Sequence, residues 1–459
     1  MGRSYLVSHG IADLTLRPAE WWILHLSQSS NPTILNAPPQ TKHRGRVRWW
    51  IVWTLFLSTV TNYMSRQTFS VLSPMITAQF HLSHVDLARI LGAFQISYAI
   101  TWLLGGIVLD RVGARLGLAF AAALWSLTNI FTGLANSVLS FAFFRFMLGV
   151  GEGFNWPGAS KAVAEWFPSE ERGLAVAIFD SGSSVGGALA ALIIPWVAIA
   201  VGWRWSFVFS GALGLLWLVL WLRVYHPLAS HPRVTVSEIA LIQRDGPPKL
   251  VAASRSKRRW LELARNRSVW GIVLGRALTD PIWWFYVFWL PQYLSDARGF
   301  SLQRIALFAW IPFVAADLGN FTGGFVSGLC IRRGLSVVQA RLWVCSISCL
   351  PILAGIPVAR VHNVYVALAL ICVALWGYAS WSTMGLTLPS DLLPQSVVAT
   401  VTGLSGLAAG LVGAGFTFAV GALVDRFSYA PAFAIAGLMP LFATVSLFFL
   451  IRPQKIALR

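Results

Sequence analysis

The chain has 459 residues, of which 56% are hydrophobic and only 11% charged, and its mean hydropathy is +0.66. That balance excludes an ordinary soluble globular protein and indicates a polytopic membrane protein. The net charge of +18 does not point to nucleic acid, because the basic residues cluster in short segments between apolar runs, as cytoplasmic loops do.

Residues 1–45 are polar, contain Pro32, Pro38 and Pro39, and read as a flexible cytoplasmic extension. The WWIL at 21–24 is too short for a signal-peptide core. Apolar runs long enough to cross a bilayer as helices then follow at 49–69, 87–109, 115–135, 138–162, 172–199 and 204–224. A polar gap, 225–268, carries SRSKRRW and is the most basic loop in the chain. The runs resume at 269–294, 303–328, 338–358, 362–387, 397–422 and 430–451, before a short tail, 453–459.

The expected architecture is therefore an all-α membrane protein with twelve transmembrane helices in two six-helix halves, 46–224 and 269–452, joined by a cytoplasmic linker. The basic gap fixes the topology. With it inside, KHRGRVR, DRVGAR, FPSEERG, IRRG and the tail all fall on the same side, so both termini are cytoplasmic in a plasma (inner) membrane protein. The halves echo one another: span two ends GGIVLDRVGAR and span eight ends GGFVSGLCIRRG. Such duplication occurs in transporters whose halves rock about a central site.

Cys330, Cys345, Cys349 and Cys372 form neither a CxxC pair nor a cluster with histidine, so no metal site, disulfide framework or cofactor is expected. No nucleophile–base arrangement or phosphate loop is present either, and an enzyme is not expected. The bilayer is the expected surroundings, nucleic acid is not a partner, and the protein is expected to be a monomer.

The charges inside the apolar runs carry the functional reading, because ionisable groups at membrane depth usually face a protein interior or a water-filled path. Arg66 stands in TNYMSRQTFSV with no acid beside it, and Asn62 and Tyr63 share its helix face. Its guanidinium fork suits a carboxylate, so its partner is either an anionic substrate or a carboxylate from another helix. Arg145 and Glu152 lie on nearly the same face of span four but about 10 Å apart along the axis, too far for direct contact. Glu152 is either a proton carrier or one side of a static salt bridge. Asp180 on span five is a further acid, with a role in coupling or in helix packing.

In the second half, Arg276 and Asp280 are four residues apart and able to pair. Pro281 follows and is expected to break span seven there. Trp283 or Trp284 is either an aromatic surface for a bound ligand or a lipid or packing contact, and Trp381 and Thr383 from span ten are the matching candidates from the other side. Asp317 on span eight has no assigned role.

GGIVLDRVGAR matches the G-x-x-x-D-R-x-G-x-R loop signature of the major facilitator superfamily. The resemblance implies a gate in which Asp110, Arg111 and Arg115 pair with Glu165 and Arg172, with Gly106 allowing close helix approach and Gly113 a tight turn. The other reading of these charges is ordinary topogenic loop charge. NYMSRQ, FRFMLGVGEGFNWPGASKAVAEWFPSEERG and DSGSSVGG resemble the anion:cation symporter family. ARNRSVWGIVLGRALTDPIWW and FAWIPFVAADLGNFTGG are most similar to bacterial hexuronate permeases. The likeness spans about residues 46–450.

It implies that Tyr98 and Ser183 contact substrate and that Glu152 couples to the proton. Ser65 departs from the aspartate that many members carry before the helix-one arginine, which leaves an aspartate-dependent proton step without its residue. The expected function is secondary active import of a sugar acid, a hexuronate such as glucuronate or galacturonate or a related aldonate, by proton symport with alternating access. Sodium remains open as the coupling ion. The rivals are a multidrug or organic-anion exporter of the same superfamily and a non-transporting sugar-acid receptor.

Overall fold

In a computed structural model, residues 46–244, 263–393 and 395–451 are described. The expected extension, residues 245–262 of the linker with SRSKRRW, and the tail lie outside them. The described residues form fifteen α-helices and no strand. The first half is α1 (Val47–Phe80), α2 (His84–Val112), α3 (Ala114–Thr132), α4 (Val138–Glu152) with α5 (Asn155–Trp166), α6 (Ser169–Val201) and α7 (Trp203–Val224). A short linker helix α8 (Val236–Gln243) follows. The second half is α9 (Arg267–Asp296), α10 (Leu302–Phe308) with α11 (Ile311–Arg332), α12 (Val337–Ile352), α13 (Val364–Leu392), α14 (Gln395–Arg426) and α15 (Ala430–Leu450).

These helices make twelve passes, so Arg46 and Ile451 lie at the same end of the bundle. We call it the near end. Several helices outrun the apolar stretches that announce them: α1 continues eleven residues beyond 69, to Phe80. Side-chain caps close many of the helix starts, Ser83 and Ser137 with reciprocal capping boxes and Asn363 with two backbone N–H bonds, which satisfies donors that lipid cannot. Gly113, at φ 82, turns the chain directly from α2 into α3, a left-handed conformation that glycine adopts without a Cβ penalty.

Nine helical stretches among the described residues are long and apolar enough to cross a membrane by length and composition. The passes that fall outside that set are α1, α4–α5 and α9. These carry Arg66, Arg145, Glu152, Arg276 and Asp280. Their lower apolarity comes from the polar residues that they turn inward.

Helix pairing repeats with a shift of six passes. α1 packs on α6 as α9 packs on α14, and α2 packs on α4 as α11 packs on α13. The echoed glycines fit this symmetry. A Cβ on Gly105 would stand 3.3 Å from Phe154 and one on Gly323 2.8 Å from the Ser380 backbone, while Gly106 and Gly324 face open space. Close approach therefore belongs to Gly105, not to Gly106 as the loop signature implied.

α2 packs along α14, and α1 contacts α9, so the halves meet directly. At the end opposite the near end, the far end, hydrogen bonds and ion pairs join α1 and α2 to α9 and α14. Gln292 Nε2 donates to Thr77 there at 3.3 Å, and His84 meets Asp296 and Asp425.

Candidate functional site

The site lies where α1, α2, α4 and α9 face one another. Arg66 is fully buried, and its Nε donates to Glu152 Oε2 at 2.8 Å. Its Nη2 donates to Asn62 Oδ1 at 3.3 Å. Four rings surround the guanidinium carbon, with centroids at 4.4 Å (Tyr63), 4.6 Å (Tyr98), 5.1 Å (Phe94) and 5.3 Å (Trp284). Each desolvated cation–π contact contributes up to about 2 kcal/mol. The cation is thus held by ring faces and by one carboxylate.

Arg66 is therefore not alone in this structure. The sequence offered a substrate or a carboxylate from another helix as its partner, and Glu152 of α4 takes that place. It does so because the helix ends there. α4 stops at Glu152, Gly153 and Phe154 intervene, and α5 begins at Asn155. Small residues let neighbours close on the break: a Cβ on Gly151 would stand 2.8 Å from the Trp125 backbone and one on Gly153 2.7 Å from Thr101. Asn155 then bonds Ser58 and Thr59 of α1. Discontinuous helices of this kind mark binding sites in transporters.

The break expected at Pro281 does not occur. α9 runs unbroken from Arg267 to Asp296 with Pro281 and Pro291 inside it, since one missing donor can be absorbed where neighbouring helices support the backbone.

Arg145 is 1% exposed and donates Nη1 to the Arg66 carbonyl at 3.1 Å. Its Nε and Nη2 have no hydrogen-bond partner, and neither has Glu152 Oε1. The rings of Phe94 and Phe288 lie 4.7 and 5.7 Å from its guanidinium carbon. Of these two buried cations only Arg66 therefore has a carboxylate partner. Asn62 Nδ2, Ser65 Oγ and both polar atoms of Gln95 are also buried without partners nearby in the chain or the fold, and unmade hydrogen bonds of this kind cost about 1–3 kcal/mol each.

On the other half, Arg276 and Asp280 form the expected pair, Nη2 to Oδ2 at 2.6 Å, and Nη1 reaches Ser405 at 3.5 Å. Trp283 stacks on Tyr378 with centroids 5.9 Å apart, whereas Trp284 turns to Arg66 and Tyr98. Trp381 is buried, and its indole N–H donates to Thr444 of α15. It packs inside the second half and does not join the central residues. Thr383 donates to Asn320 at 2.9 Å. Ser183 is half-buried on α6.

Asp180 accepts the Trp156 indole N–H at 3.0 Å. It is bound to that tryptophan and not to Arg66, so it does not stand in for the acid missing at Ser65. Asp317 lies beside Ser184 and Asn320.

The near-end charges pair differently from the expected gate. Asp110 bonds Lys161 at 2.8 Å, and Arg115 donates to the Leu222 carbonyl at 2.9 Å. Glu165 accepts from Tyr225, whose phenol is pushed up by burial and by that carboxylate. Arg172 caps the Phe167 and Ala164 carbonyls, and Arg111 is exposed. The bonds described for these residues stay within the first half and the first two residues of the linker, Tyr225 and His226. A further clamp lies in Arg48, whose guanidinium bridges Glu171 and Glu238 at 2.8 and 3.1 Å and so ties α8 of the linker to the base of α1.

Sequence reasoning missed Phe94, Gln95, Trp156 and Phe288. The spacing of Phe94 and Tyr98, one helical turn apart on α2, was the available signal.

A match to the Major Facilitator Superfamily extends over residues 55–417. The chain belongs to that superfamily. It is a multi-pass membrane transporter and not an enzyme. Among curated relatives, it is 32% identical over 396 residues to the "Hexuronate transporter" of Escherichia coli (strain K12), covering 86% of this chain and 92% of that protein. It is 32% identical over 324 residues to the "Galacturonate transporter" of Dickeya chrysanthemi, covering 70% and 94%. It is 29% identical over 445 residues to the "Probable galactarate/D-glucarate transporter GarP" of Escherichia coli (strain K12), covering 92% and 98%.

Two solved structures share the fold. The xylose transporter XylE from E. coli, in an inward open conformation, superimposes with a TM-score of 0.67 at 17% identity, over 89% of this chain and 98% of that one. A bacterial homolog of the human lysosomal transporter Spinster gives 0.66 at 18%, over 90% and 96%.

Proposed function

We propose that the chain imports a sugar acid bearing one carboxylate, a hexuronate or a related aldonate, by proton symport with alternating access. The observation that carries this reading is the buried charge at the centre: Arg66 and Arg145 against Glu152 alone, with Arg145 Nε and Nη2 unpartnered. The unpartnered guanidinium donors suit a substrate carboxylate. The surrounding rings suit the apolar face of a sugar, and Asn62 and Gln95 have hydrogen bonds to offer its hydroxyls. The names of the similar transporters support the same chemical class.

The coupling follows from competition for Arg66. A substrate carboxylate that takes the guanidinium leaves Glu152 in a dry site without its cation, and a carboxylate so placed takes up a proton. Substrate and proton then load together. Release of both returns Glu152 to Arg66, so the cation is not left uncompensated in the empty carrier. On this reading Asn62, Tyr63, Arg66, Tyr98 and Arg145 hold the anion from the first half and Arg276 faces it from the second. The halves are 46–224 and 269–452, and the basic linker, the near end and both termini are cytoplasmic in the inner membrane.

Uptake of labelled glucuronate, galacturonate and galactonate into proteoliposomes tests this. An imposed inward proton gradient should drive accumulation of at least one of them, and a sodium gradient should not. Accumulation driven by sodium alone, or none of the three carried, would overturn it.

A further inference from the structure

At the far end, away from the central pair, the His84 imidazole lies between two carboxylates of the opposite half. His84 opens α2; Asp296 ends α9 and Asp425 lies one residue before the end of α14. Nε2 is 2.9 Å from Asp296 Oδ2, and Nδ1 is 2.6 Å from Asp425 Oδ1.

Both carboxylates are already committed as acceptors. Asp425 takes the backbone N–H groups of His84 and Val85 at 3.1 and 3.0 Å. Asp296 takes the Tyr429 hydroxyl at 2.8 Å and the Gln292 amide at 3.0 Å. A neutral imidazole has one N–H, and its other nitrogen would direct a lone pair at a carboxylate oxygen. Two short contacts to two acceptors therefore require an extra proton in the cluster. This holds whichever atom carries it.

We propose that His84, Asp296 and Asp425 form a proton-binding site on the outer face, distinct from Glu152, that is filled when the halves are closed there and emptied when they part. The cluster is reachable from water, with side chains 28%, 32% and 28% exposed for His84, Asp296 and Asp425. The remaining groups facing the imidazole are rings: Trp289 of α9 stacks on it at 6.4 Å, and Tyr429 meets it edge-on at 6.1 Å. Of the other charges nearby, Arg426 follows Asp425 on α14 and His81 precedes α2, both exposed. On its own helix, Asp86 is held by Ser83 and Arg89. From α9's end, Arg298 donates to the Val358 and Val361 carbonyls.

Because His84 belongs to one half and both acids to the other, opening the outer face removes both carboxylates from the imidazole at once. Its affinity for the proton then falls to that of a solvated histidine, with a pKa of about 6.5. Affinity is higher in the closed state, so the contribution to closure is complete below that value and is lost as pH rises through the closed-state value. An acidic exterior holds the outer face shut. The proton binds from outside and returns outside, so it sets the balance between the two states and is not carried.

The test uses spin labels on Cys substitutions at the exposed Asn136 and His362, one in each half, with Cys330 and Cys372 replaced by serine. Distances are measured in nanodiscs without substrate, at about pH 5.5 and about pH 8, so the result does not depend on which anion is carried. The closed-to-open ratio should fall by about three- to tenfold between the two, up to tenfold per unit of difference in affinity. His84→Gln should remove this response, and Asp425→Asn, which keeps an oxygen for one of the two backbone N–H groups, should lessen it. A pH-independent ratio in the parent, or an undiminished response in either variant, would overturn the proposal.

Discussion

Arg66 and Glu152, 86 positions apart in the chain, meet at 2.8 Å with side chains only 1% and 0% exposed. A buried pair of this kind is costly to assemble and costlier to halve: removing one partner typically destabilises by about 3–5 kcal/mol. In a carrier, that cost becomes useful. The partner lost by one group must be supplied by the cargo or by a proton.

Replacing Arg66 with lysine keeps the charge but removes the fork that serves Glu152 and Asn62 together. Hexuronate binding to Arg66→Lys should weaken by about 10- to 100-fold, the equivalent of about 1.5–3 kcal/mol for a charged hydrogen bond. Isothermal titration of both proteins measures it, and near-normal affinity in the lysine variant would move the carboxylate elsewhere.

Glu152→Gln mimics the protonated acid. It should abolish accumulation driven by a pH gradient while leaving substrate counterflow, because exchange needs only the neutral form. With no carboxylate competing for Arg66, the variant should also bind the anion at least as tightly at neutral pH. Retained gradient-driven accumulation would exclude Glu152 from coupling.

Ser65 is buried with its hydroxyl unpartnered, one position from the arginine. Ser65→Asp adds a second acid to a site where one already satisfies Arg66. We expect weaker uronate binding at neutral pH and a steeper gain as pH falls, when the added acid takes a proton. Binding curves at several pH values compare the two proteins; identical curves would show that Arg66 does not sense residue 65.

Asp280→Asn leaves Arg276 buried beside an amide. Its thermal midpoint should drop, whereas Arg276→Met with Asp280→Met should recover much of the loss, since apolar replacement of a whole buried pair is often neutral. The double variant should nevertheless lose uptake if Arg276 faces the substrate. Full uptake in the stable double variant would make the pair purely structural.

How much of this was legible in the sequence follows from the range over which each signal acts. Hydropathy is local, so the twelve passes and the repeated glycines of Gly105 and Gly323 could be read directly. The pairing of Arg66 with Glu152 could not, because it depends on how α1 and α4 pack and on a helix end at Glu152. The glycines around that acid, GVGEGF, were the available signal, and Pro281 drew attention to the wrong helix. Asp110 and Arg172 were expected to bond each other's helices, but charged side chains at a membrane edge take the nearest carbonyl or counter-ion. His84, Asp296 and Asp425 stand at three separate helix ends, with nothing local to link them.

The claim at the centre is that substrate and Glu152 compete for Arg66 and that the displaced acid is protonated. Proton uptake on adding glucuronate to the purified protein in weakly buffered solution at neutral pH measures this directly. The account predicts that the parent takes up protons in proportion to anion bound, approaching one per site, and that Glu152→Gln binds the anion with no uptake. Binding without proton uptake in the parent, or equal uptake in both proteins, would contradict it.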